Sequence, residues 1–349
     1  MDGDQPIGGQ WNFDQDKRLP PPRPKKGGPA HPWPDPLHFD LDSIDLQVQD
    51  RLSNYDTWGD HPDGTWATTR AGALMQLEYF LEHSLADFGP YEDAMPTDTW
   101  TVNHSLLSPY LNVGLLHPGE VVQAAIKRYD EGGIPLSSIE GFVRQVIGWR
   151  EYINRIYWHF PDTYREENSL GSDRKLLPLF EDPQATQMNC MGSIISDVKK
   201  RAWVHHIPRL MLVSNLAQLV GIKPQELLNW MRVSFIDAAD WVMVPNVIGM
   251  GMHADGGAMM TKPYIAGGAY ISRMSNYCGS CAFDPKKRTG EDACPFTTLY
   301  WDYLDRNSEH FASNHRMSRP VAAAAQRDDL EEIRERAKQV LQLLEVGEL

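Results

Sequence analysis

Four cysteines, Cys190, Cys278, Cys281 and Cys294, are the residues of this 349-residue chain best suited to holding an inorganic centre. Three of them form a C-x2-C-x12-C run followed at once by Pro295, in a stretch whose Gly279, Pro285 and Gly290 read as loop. Two sulfurs three residues apart can reach one centre, and a fourth thiolate completes a tetrahedral or cubane shell. Met1 to Gly9 does not read as a secretory leader, so the chain is expected in the cytoplasm, where a disulfide framework does not persist. Spacing alone leaves structural zinc and an iron–sulfur cluster on equal terms, because four thiolates serve both. The Cys294-Pro295 pair leans toward the cluster. With Cys190 as the fourth ligand, the centre would staple distant helices together.

A second concentration of chemistry lies at Lys199-Lys200-Arg201-Ala202-Trp203-Val204-His205-His206-Ile207-Pro208-Arg209, with two imidazoles, an indole and four cations. A single His is usually structural. Two adjacent ones within a turn or two of Trp203 and Arg209 are less usual and mark the segment as a candidate site. If Arg209 is buried it needs a carboxylate, and Asp237 is a candidate partner.

The elements that must carry these residues are helical, and the fold expected is all-α. Leu74, Leu77, Phe80, Leu81 and Leu85 recur at three and four, as one buried helical face requires. Ile139, Phe142, Val143, Val146, Ile147, Ile153 and Ile156 do so over a longer span, and Leu212, Leu216, Leu219 and Val220 follow. Pro224 starts a helix carrying Leu227, Leu228 and Met231. Leu330, Ile333, Ala337, Leu341 and Leu344 make a terminal amphipathic helix. Eight prolines between Pro20 and Pro36, with Lys25-Lys26-Gly27-Gly28 among them, exclude a helix there and predict an extended arm or linker. The organisation expected is an arm over 1–45, a helical catalytic domain over 46–320 and a terminal helix over 321–349. A hydrophobic content of 42% excludes disorder. No run reaches the roughly 18 apolar residues of a membrane span.

Trp203 to Asn215 resembles the flavin-site helix of the photolyase and cryptochrome superfamily. So do Asp237-Ala-Ala-Asp-Trp241-Val-Met-Val-Pro245-Asn246-Val-Ile-Gly249-Met250, His253-Ala-Asp255-Gly256-Gly257 and Thr261-Lys-Pro263-Tyr264-Ile-Ala-Gly267-Gly268. Asn103-His104-Ser105-Leu-Leu-Ser108-Pro109-Tyr-Leu-Asn112 is similar to the loop that cradles FAD phosphates, and Gly141 to Glu151 to the next flavin- and lesion-site helix. The cysteine spacing points to the iron–sulfur bacterial cryptochromes and photolyases, and the resemblance runs over about residues 8 to 320. It implies FAD, a [4Fe-4S] cluster on Cys190, Cys278, Cys281 and Cys294, and UV-damaged DNA as substrate. Family members begin with an α/β domain carrying an antenna chromophore. Gly8 to Asp14 resembles the segment after that domain, so a short, antenna-less, monomeric photolyase is expected, with any antenna supplied by an unknown partner.

By the resemblance, reduced FAD passes an electron to a flipped-out pyrimidine dimer. Ser105, Leu107 and Ser108 would line the FAD phosphates. Trp149, Arg150, Trp203, Arg209, Asn246 and the Gly256-Gly257 backbone would hold the cofactor, with Asp237 pairing Arg209. Met243 stands near flavin N5, where a polar residue is frequent. His206 aligns with the histidine that (6-4) photolyases use as proton donor, with His205 beside it; its alternative role is to hydrogen-bond lesion or flavin. Tyr264, Tyr270 and Met250 would flank the lesion. Trp230 keeps the inner member of the family's electron-transfer chain, while Met231 and Asp182 replace its aromatic neighbours.

The chain carries 33 Lys and Arg against 47 Asp and Glu, a net charge of −14, which argues against a general nucleic-acid coat but not against a local basic groove. Lys199–Arg201 and Lys286–Arg288 are the basic runs available for phosphate contact. Repair of (6-4) photoproducts is the function expected. Cyclobutane-dimer repair, a cryptochrome-like photoreceptor and an iron–sulfur nucleic-acid-binding module are the alternatives.

Overall fold

The computed structural model describes residues 3–22 and 31–349; Lys25, Lys26, Gly27 and Gly28 lie outside the described residues. The described chain is helical, and its extended pairing amounts to two isolated bridges, Arg174 with Ile222 and Asp284 with Ala293. It divides into two compact units, Met1–Tyr152 and Ile153–Leu349.

The first unit packs helices Arg70–His83, Leu85–Tyr91, Pro118–Asp130 and Leu136–Val143 around Phe80, Phe88 and Phe142. The ring centroids of these three stand 4.7–6.0 Å apart, within the range of favourable aromatic pairing. Two helices meet closely at Gly89, whose N–H donates to Ser138 Oγ at 3.0 Å. A Cβ on Gly89 would sit 2.7 Å from that oxygen, so glycine sets the approach. The N-terminal arm is fastened to this unit by buried charge. Lys17 Nζ donates to Glu140 at 2.8 Å and lies 3.9 Å from Glu92, while Arg144 pairs with Asp14. Farther on, Trp33 donates to Asp98 at 3.1 Å.

The second unit is built on helices Asn189–Arg201, Asn215–Val220, Pro224–Ser234, Pro295–Arg306 and Leu330–Val346. Pro224 stands in the first turn, where its missing N–H leaves no gap. Leu212, Leu216, Leu219, Val220, Leu227, Leu304, Ile333 and Leu344 are all buried. Two positions depart from the sequence pattern: Leu74 is 40% exposed and Ile147 49%. Around Leu74 the buried face runs through Ala73, Leu77 and Phe80, leaving it one step round the helix. Ile147 falls in a π-helical segment, Arg144–Trp149, where the wider turn rotates it off the buried face.

Candidate functional site

The four cysteines lie on separate pieces of the second unit. Cys190 stands in the first turn of Asn189–Arg201, Cys278 in the short turn Tyr277–Ser280, Cys281 just after it, and Cys294 caps Pro295–Arg306. All four are free thiols. Burial pushes the Cys190 thiol well up, and the nearby Cys294, Cys281 and Cys278 push it further, so the sulfurs converge. Burial likewise raises Cys294 to about 12, against the pull of the Thr297 and Phe296 N–H groups aimed at its sulfur. Converging thiols with N–H donors on their sulfurs are what a bound metal needs, because the cation supplies the charge that ionises them. Gly268 leaves room for the arrangement, since a Cβ there would lie 2.9 Å from Cys294 Sγ.

Four thiolates on these elements serve structural zinc and an iron–sulfur cluster alike.

A second group in this unit surrounds Arg209. Helix Asn189–Arg201 ends where Ala202 turns left-handed (φ 53°), and the chain delivers Trp203, Val204 and His205 into the interior. Arg209 then binds Asp237 through two bonds of 2.8 and 3.0 Å, and its Nε donates to the Val204 carbonyl at 2.7 Å. The guanidinium lies 4.2 Å from the Phe235 ring centre and 5.9 Å from Trp203. Asp237 is only 5% exposed, and this bidentate pairing answers its charge. His206 is exposed beside buried His205, their rings 5.9 Å apart. Buried Met243 and half-buried Asn246 follow one another into the π-helical segment Pro245–Gly251. Gly256 and Gly257 take left-handed backbone around Asp255, which receives the Gly257 and Met259 N–H groups. Tyr264, Tyr270 and Met250 are half-buried. Trp230 is buried against Phe180 and Phe235 and donates to the Phe180 carbonyl at 3.0 Å. Met231 is buried, and exposed Asp182 caps a turn by accepting the Gln184 N–H.

The remaining site residues are in the first unit. Val102 and Leu106 both adopt left-handed backbone, at φ 52° and 58°, on either side of Asn103, His104 and Ser105. A β-branched residue is rarely found there, and such strain gathers at functional sites. Asn103 is buried, and among the described residues neither its amide oxygen nor its amide nitrogen has a partner. An orphaned amide inside a strained loop is what a site shaped for a polar ligand presents. Ser105 Oγ receives the Leu107 N–H at 3.4 Å, and Ser108 opens the short helix Ser108–Asn112. Arg150 follows the π-helical segment Arg144–Trp149 and donates to Asn112 Oδ1 at 2.8 Å and to the Leu111 carbonyl. Trp149 packs against Tyr152, ring centres 5.6 Å apart.

Two features carry no signal in the sequence. The strain at Val102 and Leu106 cannot be read from residue type. Asp240 accepts from Tyr157 at 2.8 Å and from Arg165 at 3.3 Å and is ion-paired with Arg232, beside a hollow lined by Trp158, Phe160 and Tyr164.

The model of deoxyribodipyrimidine photo-lyase-related proteins matches residues 1–66. Over 327 residues the chain is 46% identical to the (6-4) photolyase of Agrobacterium fabrum, a match covering 93% of this chain. This likeness fits the bacterial (6-4) photolyase-like family. The chain spans 63% of the length of that relative. An uncharacterised protein of Acanthamoeba polyphaga mimivirus, R855, is 34% identical over 101 residues, which cover 29% of this chain and 75% of that one. Among solved structures, a bacterial class III photolyase from Agrobacterium tumefaciens aligns with a TM-score of 0.48 and 19% identity, covering 84% of this chain and 61% of the other. Among the described residues no helix is long and apolar enough to cross a membrane.

Proposed function

We propose that the protein is a light-dependent DNA photolyase that uses reduced FAD to reverse pyrimidine dimers, with (6-4) photoproducts as its lesion. The observation that carries this reading is the 46% identity to a protein named (6-4) photolyase, running through the segments that hold His205, His206, Arg209 and the four cysteines. FAD, when bound, supplies on excitation the electron that splits the lesion. The orphaned Asn103 amide, the Ser105 and Ser108 hydroxyls and Arg150 would hold its phosphates. Arg209, fixed by Asp237, would present a cation to the ring system, and Trp203 would wall it. Buried and apolar, Met243 would stand near flavin N5, where a polar residue is frequent. His206, exposed and adjacent to a buried imidazole, would give a proton to the hydroxyl that moves between the pyrimidines, as an imidazole can. Tyr264, Tyr270 and Met250 would flank the extruded dimer. The four cysteines would hold a [4Fe-4S] cluster, and anaerobically purified protein then has a visible absorbance that zinc lacks.

A repair assay under blue light with chemically reduced protein tests the reading. Oligonucleotides carrying a (6-4) photoproduct or a cyclobutane dimer are offered separately, each with a dark control. Light-dependent restoration of the (6-4) strand alone, lost in His206→Ala, is expected. Restoration of the dimer strand alone overturns the role of His206. A second reading, a blue-light photoreceptor without repair, draws on Trp230, whose ring neighbours Phe180 and Phe235 are poor electron relays, while Asp182 sits in a turn. Bound FAD with no repair of either strand would favour it.

A further inference from the structure

The cysteine centre is closed on one side by a part of the chain that supplies none of its sulfurs. The segment from Cys281 to Cys294 first folds on itself: Asp284 N–H donates to the Asp292 carbonyl at 2.7 Å, and Cys294 N–H to the Asp284 carbonyl at 3.1 Å. It is then gripped at two points. Arg288 Nε donates to Asp329 at 2.6 Å, and Arg327 holds the same carboxylate at 2.8 Å. Asp329 is the residue that precedes helix Leu330–Val346. Seven residues further along, Arg336 donates Nη2 to the Glu291 carbonyl at 2.9 Å, three residues before Cys294. At the end of the same helix the Leu349 carbonyl accepts the Gln187 N–H at 2.6 Å, and the Gln187 carbonyl lies 4.0 Å from Cys281 Sγ.

Arg336 is the telling residue. It is 9% exposed, and it donates to a loop carbonyl and to the neutral side chain of Gln339. Burying a guanidinium is unfavourable unless its hydrogen bonds compensate, so this one must be held where the loop carbonyl is offered. Arg334, on the same helix, faces another way and pairs with Asp305 and Glu331.

We propose that helix Leu330–Val346 is a latch on the cysteine centre. Asp329 and Arg336 are positioning residues: they set how readily the 281–294 segment opens, and hence how fast chelators, oxidants and thiol reagents reach the sulfurs. The inference rests on the reading of the four cysteines as one centre. Local opening of such a loop needs less free energy than global unfolding, and losing one charge-assisted bond speeds it by roughly tenfold.

The test compares Asp329→Ala and Arg336→Met with wild type, with Arg334→Ala as a same-helix control and Arg336→Lys as the conservative variant. Two rates are read: reaction of the four thiols with a colorimetric disulfide reagent, and decay of visible absorbance under an iron chelator. Both variants are expected to react about tenfold faster, Arg334→Ala at the wild-type rate, and Arg336→Lys close to it. Helical circular dichroism melts report any global loss separately. Rates for Asp329→Ala and Arg336→Met within about twofold of wild type, or equal acceleration by Arg334→Ala, overturn the latch. Wild-type protein without visible absorbance or iron would instead sink the cluster, while the thiol rates still decide the latch.

Discussion

Asp237 has one dominant task, to answer the Arg209 guanidinium in a place where water cannot. Asp237→Asn leaves that cation buried with half its partner, and a loss of about 3 kcal/mol in denaturant unfolding is expected, together with loss of bound flavin absorbance. Stability and flavin content equal to wild type would remove the pair from both roles. Gly268→Ala makes a different demand: its Cβ would press on Cys294 Sγ at 2.9 Å, on Thr297 Oγ1 at 2.7 Å and on Pro285 Cα at 3.0 Å. Iron content measured on the purified variant should fall while its helical signal stays. At this scale the sequence was informative where chemistry is carried by residue type. Arg209 with Asp237, and four cysteines at two spacings, are recognisable because opposite charges and soft ligands have few other uses in a core. Asn103 was visible only as part of a motif. Its orphaned amide depends on backbone angles at Val102 and Leu106 that no residue type announces.

Between residue and fold stand the helices, and three of them widen into π-turns within the described chain: Arg144–Trp149, Arg209–Ser214 and Pro245–Gly251. Each contains or adjoins an expected cofactor residue, Trp149 with Arg150, then Arg209, then Asn246. Hydrogen bonds reaching five residues back leave a bulge, and such bulges recur at functional sites. Apolar spacing of three and four located these helices correctly but could not foresee the bulges, which is why Ile147 was expected on a buried face and lies outside it. The arm–helix junction gives a pH prediction. Burial raises the Glu92 carboxyl above its ordinary value, opposed by the nearby Lys17 cation. A raised carboxyl favours the native state when protonated, so its ionisation weakens folding as pH rises through the native value. Glu92→Gln imitates the protonated form. Its melting temperature relative to wild type should be highest at neutral pH and fall toward the wild-type value as the solution is acidified; a constant difference would exclude this assignment.

For the molecule as a whole, the net charge of −14 must coexist with a polyanionic substrate. The structure engages part of each basic run internally: Arg201 with Asp197, Lys287 with Asp292 and Arg288 with Asp329. Lesion-strand affinity should therefore fall with salt less steeply than for a protein that turns both whole runs to phosphate. A logarithmic slope corresponding to six or more released counterions would contradict that, at about 0.9 per contact on duplex DNA. The strained loop at Val102 and Leu106 has a consequence for heredity as much as for binding. Backbone held in an unfavourable region is tolerated only while something rewards it. Asn103→Ala removes the unpartnered buried amide that this loop holds, and should thus raise the melting temperature of flavin-free protein while slowing or weakening flavin uptake. A breeder selecting the chain for heat tolerance alone would find that change early, and with it would begin to lose the pigment.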